Sequence, residues 1–203
     1  MARKRLSRAD SRERTAQRLM DAAQRLIARR GLDATSVEEI AEAAGYSRGA
    51  FYSNFKSKED LFLEVLRRDQ QRIYARFTVA LNEKRPPDQV QSDIRKLYAG
   101  LHQDSDSFLT WTEGRMLSAR EPKFRAKLAA LIAERRDFVV KLIEILYQRT
   151  GGRPQMPVEP LAMGLISLIE GVGLFLASCP GEMPPDAAES ILQHFADCVM
   201  PRL

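Results

Sequence analysis

Between Ser36 and Phe55 the sequence starts two helices and breaks both within a few turns. "SVEEIAEAA" opens with Ser36 and places Glu39 three positions on, an S-x-x-E capping box that starts a helix near Val37. Val37, Ile40, Ala41 and Ala44 share one face of it. Gly45 ends it, and Ser47 caps a third, short helix running through Phe55. Helices this short are marginal alone and must bury their faces against something longer. Upstream, Ala16, Leu19, Met20, Ala23, Leu26 and Ile27 form an amphipathic stripe, ending before Gly31. Three crossed helices around one small core are the expected result, with Ala41 at the crossing and Phe51 pointing inward.

No later segment shows strand alternation. Ser57 and Asp60 open a fourth helix, whose stripe (Leu61, Phe62, Val65, Leu66, Ile73, Phe77, Leu81) carries it to about residue 83. "KRPP" starts a fifth, roughly 87–103; "DSDSF" starts a sixth, and "REPKF" separates it from a seventh. "TGGRPQMPVEP" and "CPGEMPPD" are breaks that bound an eighth helix at about 159–178, with a ninth from about 186 onward. The reading is all-α with about nine helices. It is divided into a basic arm and three-helix domain at 1–57 and a helical domain at 58–203.

The run "LAMGLISLIEGVGLFLASC", 161–179, approaches transmembrane length, but Glu170 sits at its centre and three glycines interrupt it. A helix with almost no polar face must be covered on nearly all sides. Gly164, Ser167, Gly171 and Ser178 make a small-residue stripe that allows close helix approach. Pairing helices eight and nine with their two-fold copies, through Gly164, Gly171, Phe175, Leu192 and Phe195, supplies the cover as a four-helix bundle. No membrane partner is expected.

Charge is uneven. Residues 1–58 hold 13 Lys/Arg against 7 Asp/Glu, whereas 59–203 hold 19 against 20, so the net +5 is confined to the first part. That is where a polyanion binds. Cys179 and Cys198 are the two cysteines, expected as buried small hydrophobes in a reducing cytoplasm. "MARKRLSRADSRERT" is basic without an apolar core, so no signal peptide is expected. No P-loop, H-E-x-x-H, G-x-S-x-G or paired-Cys metal spacing occurs, which argues against an enzyme. His194, Cys198 and Cys179 are too few to assign a metal, and no cofactor is expected.

"GYSRGAFYSNF", 45–55, mixes aromatics with Ser, Arg and Gly, which suits a helix-turn-helix presenting its second helix to a DNA major groove. Arg48 is placed to donate to guanine O6 and N7, or alternatively to a phosphate, and Gly49 leaves room for the duplex. Tyr46, Ser47, Tyr52 and Asn54 offer phosphate contacts. Thr35 and Ser36 at helix two, and Ser57 and Lys58 at helix four, mark further anion-facing helix starts. Arg3, Lys4, Arg5 and Arg8 read as an arm for the minor groove, or as a solubilising tail.

Residues 18–66, and above all "TSVEEIAEAAGYSRGAFYSNFKSKEDLF", resemble the DNA-binding domain of the TetR/AcrR family. The resemblance implies a homodimeric, usually repressing, ligand-responsive bacterial transcription factor acting on a palindromic operator in the cytoplasm. Family members commonly carry His where Asn54 stands. An unidentified, largely hydrophobic small molecule is the implied effector, with Phe108, Trp111, Thr112, Arg115, Met116, Phe138, Ser167 and Glu170 as candidate pocket residues; core packing is the other reading of Trp111, and a paired interface carboxylate that of Glu170. The alternative is a ligand-independent dimeric DNA-binding or scaffold protein.

Overall fold

The structure is a computed structural model describing residues 7–81 and 84–199. Among the described residues all regular structure is helical: α1 (Arg8–Arg30), α2 (Val37–Ala43), α3 (Arg48–Tyr52), α4 (Lys58–Ala80), α5 (Pro87–Ala99), a 3-10 turn (Gly100–Gln103), α6 (Ser105–Arg120), α7 (Pro122–Thr150), α8 (Val158–Ser178) and α9 (Pro185–Val199). The all-α expectation and its nine helices hold.

Helix starts in the N-terminal part follow from side-chain caps. α1 begins two turns ahead of Ala16, the first residue of its apolar stripe. Ser7 Oγ accepts from the Asp10 amide and the Asp10 carboxylate accepts from the Ser7 amide, both at 3.1 Å. Arg8 is therefore helical rather than part of an arm, and Arg3, Lys4 and Arg5 lie outside the described residues. α3 stops at Tyr52, three residues short of the expected Phe55; the turn beyond it is held by Ser53 and Asn54 amides on the Gly49 and Phe51 carbonyls.

The chain forms two compact units. The first comprises Met1–Asp69 and Leu109–Leu128; the second, Gln70–Phe108 and Ala129–Leu203. In the first, Leu19, Ala22 and Ala23 of α1, Ile40 of α2, Phe51 of α3, and Leu61, Phe62, Val65 and Leu66 of α4 are fully buried. Phe62 stacks on Phe124 of α7, centroids 5.8 Å apart. Gly114 lets α6 lie against α4, since a Cβ there would come within 3.0 Å of Leu66 Cδ1.

The second unit is built on Phe77, Val90, Ile94, Leu142, Leu146, Val172 and Leu192. Gly173 is a close-approach position: an added Cβ would sit 2.5 Å from the Phe108 ring. The Tyr98 hydroxyl donates to the Leu165 carbonyl at 3.0 Å, and burial pushes its pKa up. α8 is long and apolar enough, by length and composition, to cross a membrane. Its central Glu170 is answered within the unit by Arg135 Nη1 at 3.6 Å.

Two expectations are corrected here. Leu192 is fully buried with Ala188 and Ala196 in the core of this unit, because that face of α9 packs on α5 and α8. Phe195, Phe175 and Leu174 are instead about half exposed, and Gly164 and Gly171 face open space. Both cysteines are exposed, since Cys179 is the C-cap of α8 and Cys198 lies on the outer face of α9.

Candidate nucleic-acid interface

α2 and α3 are short because each is locally capped, and their angle is set by Gly45. Ser36 accepts from the Glu39 amide while the Glu39 carboxylate accepts from the Ser36 amide at 2.8 Å. Gly45 adopts φ 77°, and Tyr46 N–H returns to the Ala41 carbonyl at 2.8 Å. A side chain with Cβ is strained at that φ. α3 then starts with Ser47 accepting from the Ala50 amide at 3.3 Å.

Phe51 fixes how α3 is rotated. Its ring is fully buried and meets Tyr52 edge-on at 5.3 Å and Phe55 at 5.8 Å. Burying it contributes about 1.5–3 kcal/mol, enough to hold one face of a five-residue helix inward. Ser47, Arg48, Gly49 and Tyr52 are consequently exposed together. A Cβ on Gly49 would meet only Ser47 Oγ, at 3.7 Å, so nothing inside the protein demands glycine there.

On that surface Arg48 is already held. Its Nη1 lies 3.0 Å from Glu38 Oε1 of α2, and its guanidinium stands over the Tyr52 ring, 5.5 Å from the centroid. A hydrogen bond with the Tyr52 side chain, then the Glu38 charge, raise its pKa above the ordinary arginine value. Just before α3, the Tyr46 hydroxyl hydrogen-bonds with Thr15 of α1 and feels the charges of Arg18 and Arg14. The Thr15 hydrogen bond, followed by the two cations, holds its pKa below 10. Thr15, Arg14 and Arg18 act on Tyr46 from α1, and no local motif in that helix marks them.

Other predicted contacts have internal partners. Thr35 is fully buried and its hydroxyl donates to the Gly31 carbonyl at 2.8 Å, so its side chain does not reach a phosphate. Lys58 Nζ donates to the Leu32 and Thr35 carbonyls at 2.7 and 2.9 Å, making it a clamp on the α1–α2 loop. Glu113 of α6 accepts from the Leu32 amide at 2.9 Å. Ser36 and Ser57 spend their oxygens on caps. Asn54 is half-buried and donates one N–H to the Ala50 carbonyl at 2.8 Å. Glu39, taken up by Ser36 and Arg30, has its pKa drawn down to about 2.

The candidate effector residues fall in both units. Trp111, Thr112, Arg115 and Met116 belong to the first, where Trp111 is buried with Nε1 donating to Asp69 Oδ2 at 2.7 Å. Phe108, Phe138, Ser167 and Glu170 belong to the second. There Phe138 stacks on Tyr74 with centroids 3.9 Å apart. The Tyr74 hydroxyl is buried without a hydrogen-bond partner among the described residues, and desolvation pushes its pKa well up. A groove of about 540 Å³ in this unit is lined by other residues, among them Arg76, Val79, Lys96 and Leu97. Among the described residues no group of three His, Cys, Asp or Glu could hold a metal ion.

Residues 19–65 match the family of bacterial regulatory proteins, tetR family. Over these residues the chain carries a TetR-family domain. The TetR-family domain is 49% identical, over 53 residues, to the HTH-type transcriptional regulator AcrR of Shigella flexneri, covering 26% of this chain and 25% of that protein. The match thus spans about a quarter of that relative's length. The fold of the whole chain resembles a TetR-family transcriptional regulator from Rhodococcus sp. at TM-score 0.78 and 23% identity, covering 93% and 100% of the two chains. A transcriptional regulator from Saccharomonospora viridis, solved in complex with choline, aligns at TM-score 0.73 and 25% identity, covering 92% and 98%.

Proposed function

We propose that the chain is a homodimeric, sequence-specific transcriptional regulator of the bacterial cytoplasm. In this reading it represses from a palindromic operator and is released by a small, largely hydrophobic effector. The observation that carries the DNA-binding reading is the outward set Ser47, Arg48, Gly49 and Tyr52, held on a helix whose opposite face is the buried Phe51. An exposed arginine at the start of the second helix of a helix-turn-helix reads a base, and the hydroxyls beside it hold phosphates. Repression needs only occupation of a promoter.

The dimer is supported by Leu174, Phe175 and Phe195, exposed on α8 and α9 beside the open Gly164 and Gly171. Apolar surface of this kind marks an interface. The effector reading is supported by the Tyr74 hydroxyl beside Phe138, because a buried hydroxyl without a partner is costly and a hydrogen-bonding ligand relieves that cost.

Selection of bound duplexes from a random pool at about physiological salt tests the reading. A palindrome is expected, and Arg48→Ala is expected to lose about 1–3 kcal/mol of discrimination at one base pair per half-site. Salt-sensitive binding with no enriched sequence would remove the specific-regulator reading and leave a general DNA clamp.

A further inference from the structure

Glu38 stands where a DNA-binding surface has least use for a carboxylate. It occupies the first turn of α2, next to the exposed face of α3, and its charge repels phosphates. The capping box does not use it: Glu39, not Glu38, closes the box with Ser36 and pairs with Arg30. Nor does its ion pair hold the fold, since Glu38 and Arg48 are 57% and 64% exposed and such pairs contribute little to stability. What Glu38 does is restrict Arg48. Its Oε1 takes one end of the guanidinium at 3.0 Å while the Tyr52 ring stands 5.5 Å from the guanidinium carbon. A long, rotamer-rich side chain is thereby held at two points while 64% of it stays exposed. Side chains positioned before binding lose less freedom on contact, so specificity rises without a new contact to the ligand.

Resting on the reading of Arg48 as base reader, we propose that Glu38 is a positioning residue for sequence recognition. Its carboxylate orients Arg48 toward one base, and its charge lowers affinity for DNA of any sequence. Both effects widen the gap between operator and random duplex, the first by strengthening the right contact and the second by weakening the generic one.

The test uses the full-length protein, the selected operator, its single-base variants and a random duplex. Affinities are measured for wild type, Glu38→Ala, Glu38→Gln, Arg48→Ala and the Glu38→Ala/Arg48→Ala double variant. Thermal unfolding is run beside them and is expected to be unchanged in the Glu38 variants. Glu38→Ala should flatten preference at the same base pair as Arg48→Ala, by about fivefold, the low end for a bidentate contact. It should also bind random duplex more tightly. Glu38→Gln, which keeps an acceptor but not the charge, should retain more of the base preference than Glu38→Ala. In the Arg48→Ala background, removing Glu38 should raise affinity evenly for every sequence. If Glu38→Ala strengthens binding evenly and leaves all base preferences intact while Arg48→Ala erases one, Glu38 is only a repulsive charge and the positioning role is lost. If Arg48→Ala itself leaves every preference intact, the reader assignment fails and the positioning role goes with it.

Discussion

The recognition surface and the outer faces of α8 and α9 are both exposed, and they are exposed for opposite reasons. On and just before α3 the outward groups are polar and have partners within the protein: Arg48 is held by both Glu38 and Tyr52, Tyr46 by Thr15, and Ser47 by the Ala50 amide. On α8 and α9 they are apolar, and Phe175, Leu174 and Phe195 show half their surface to water. A polar surface with its own internal partners is stable in solution and waits for a charged ligand. Large apolar side chains left half exposed on neighbouring helices are what an interface covers. Under the proposed function the first is a surface for reversible recognition, and the second one for a lasting partner such as a second copy of the chain.

Replacing the residue behind the polar surface should have the largest effect. Phe51→Ala is expected to cost about 3–5 kcal/mol of stability, read as a fall in denaturation midpoint, with DNA binding lost as α3 loses its anchor. A midpoint close to wild type would mean that α3 is held by its cap alone. Next comes the apolar side: Phe175→Asp should weaken dimerisation by about 2 kcal/mol or more, seen by sedimentation as dissociation on dilution. An unchanged dimer would move the interface off α8.

Gly49→Ala sets stability against function at one site. A Cβ there meets only Ser47 Oγ at 3.7 Å, so alanine should stabilise the fold by about 0.5–1 kcal/mol while weakening operator binding. Higher melting temperature with unchanged affinity would mean that DNA does not approach Gly49 closely. The smallest effect is acid sensitivity. Glu39 titrates near 2 in the folded chain against an ordinary 4.5, so its stabilisation is complete above about 4.5 and lost as pH falls toward 2. Glu39→Gln should flatten the pH dependence of unfolding in that window and leave the neutral-to-alkaline side alone.

What could be read from sequence was what local chemistry decides. The Ser36–Glu39 box, the Ser47 cap and Gly45 act within four residues of themselves, and the structure has them as expected. Residues whose partners lie far along the chain were opaque. Thr35 and Lys58 look like phosphate ligands until the Gly31 and Leu32 carbonyls are seen to occupy them. Thr15 meets Tyr46 only because α1 and α3 share a core. Leu192 and Phe195 are three residues apart on one apolar helix, and packing on α5 and α8 alone buries the first and leaves the second outside.

The peptide of Leu32 is gripped from both ends, its N–H by the Glu113 carboxylate and its carbonyl by the Lys58 ammonium. Anyone transplanting this reading head onto another scaffold must therefore carry two pieces of chain. A graft cut after Asp69 would leave the Leu32 amide with no carboxylate and Asp69 without its indole. Interchangeable heads for engineered gene circuits are thus better drawn along the seams of Leu109–Leu128 than at the first loop past α3.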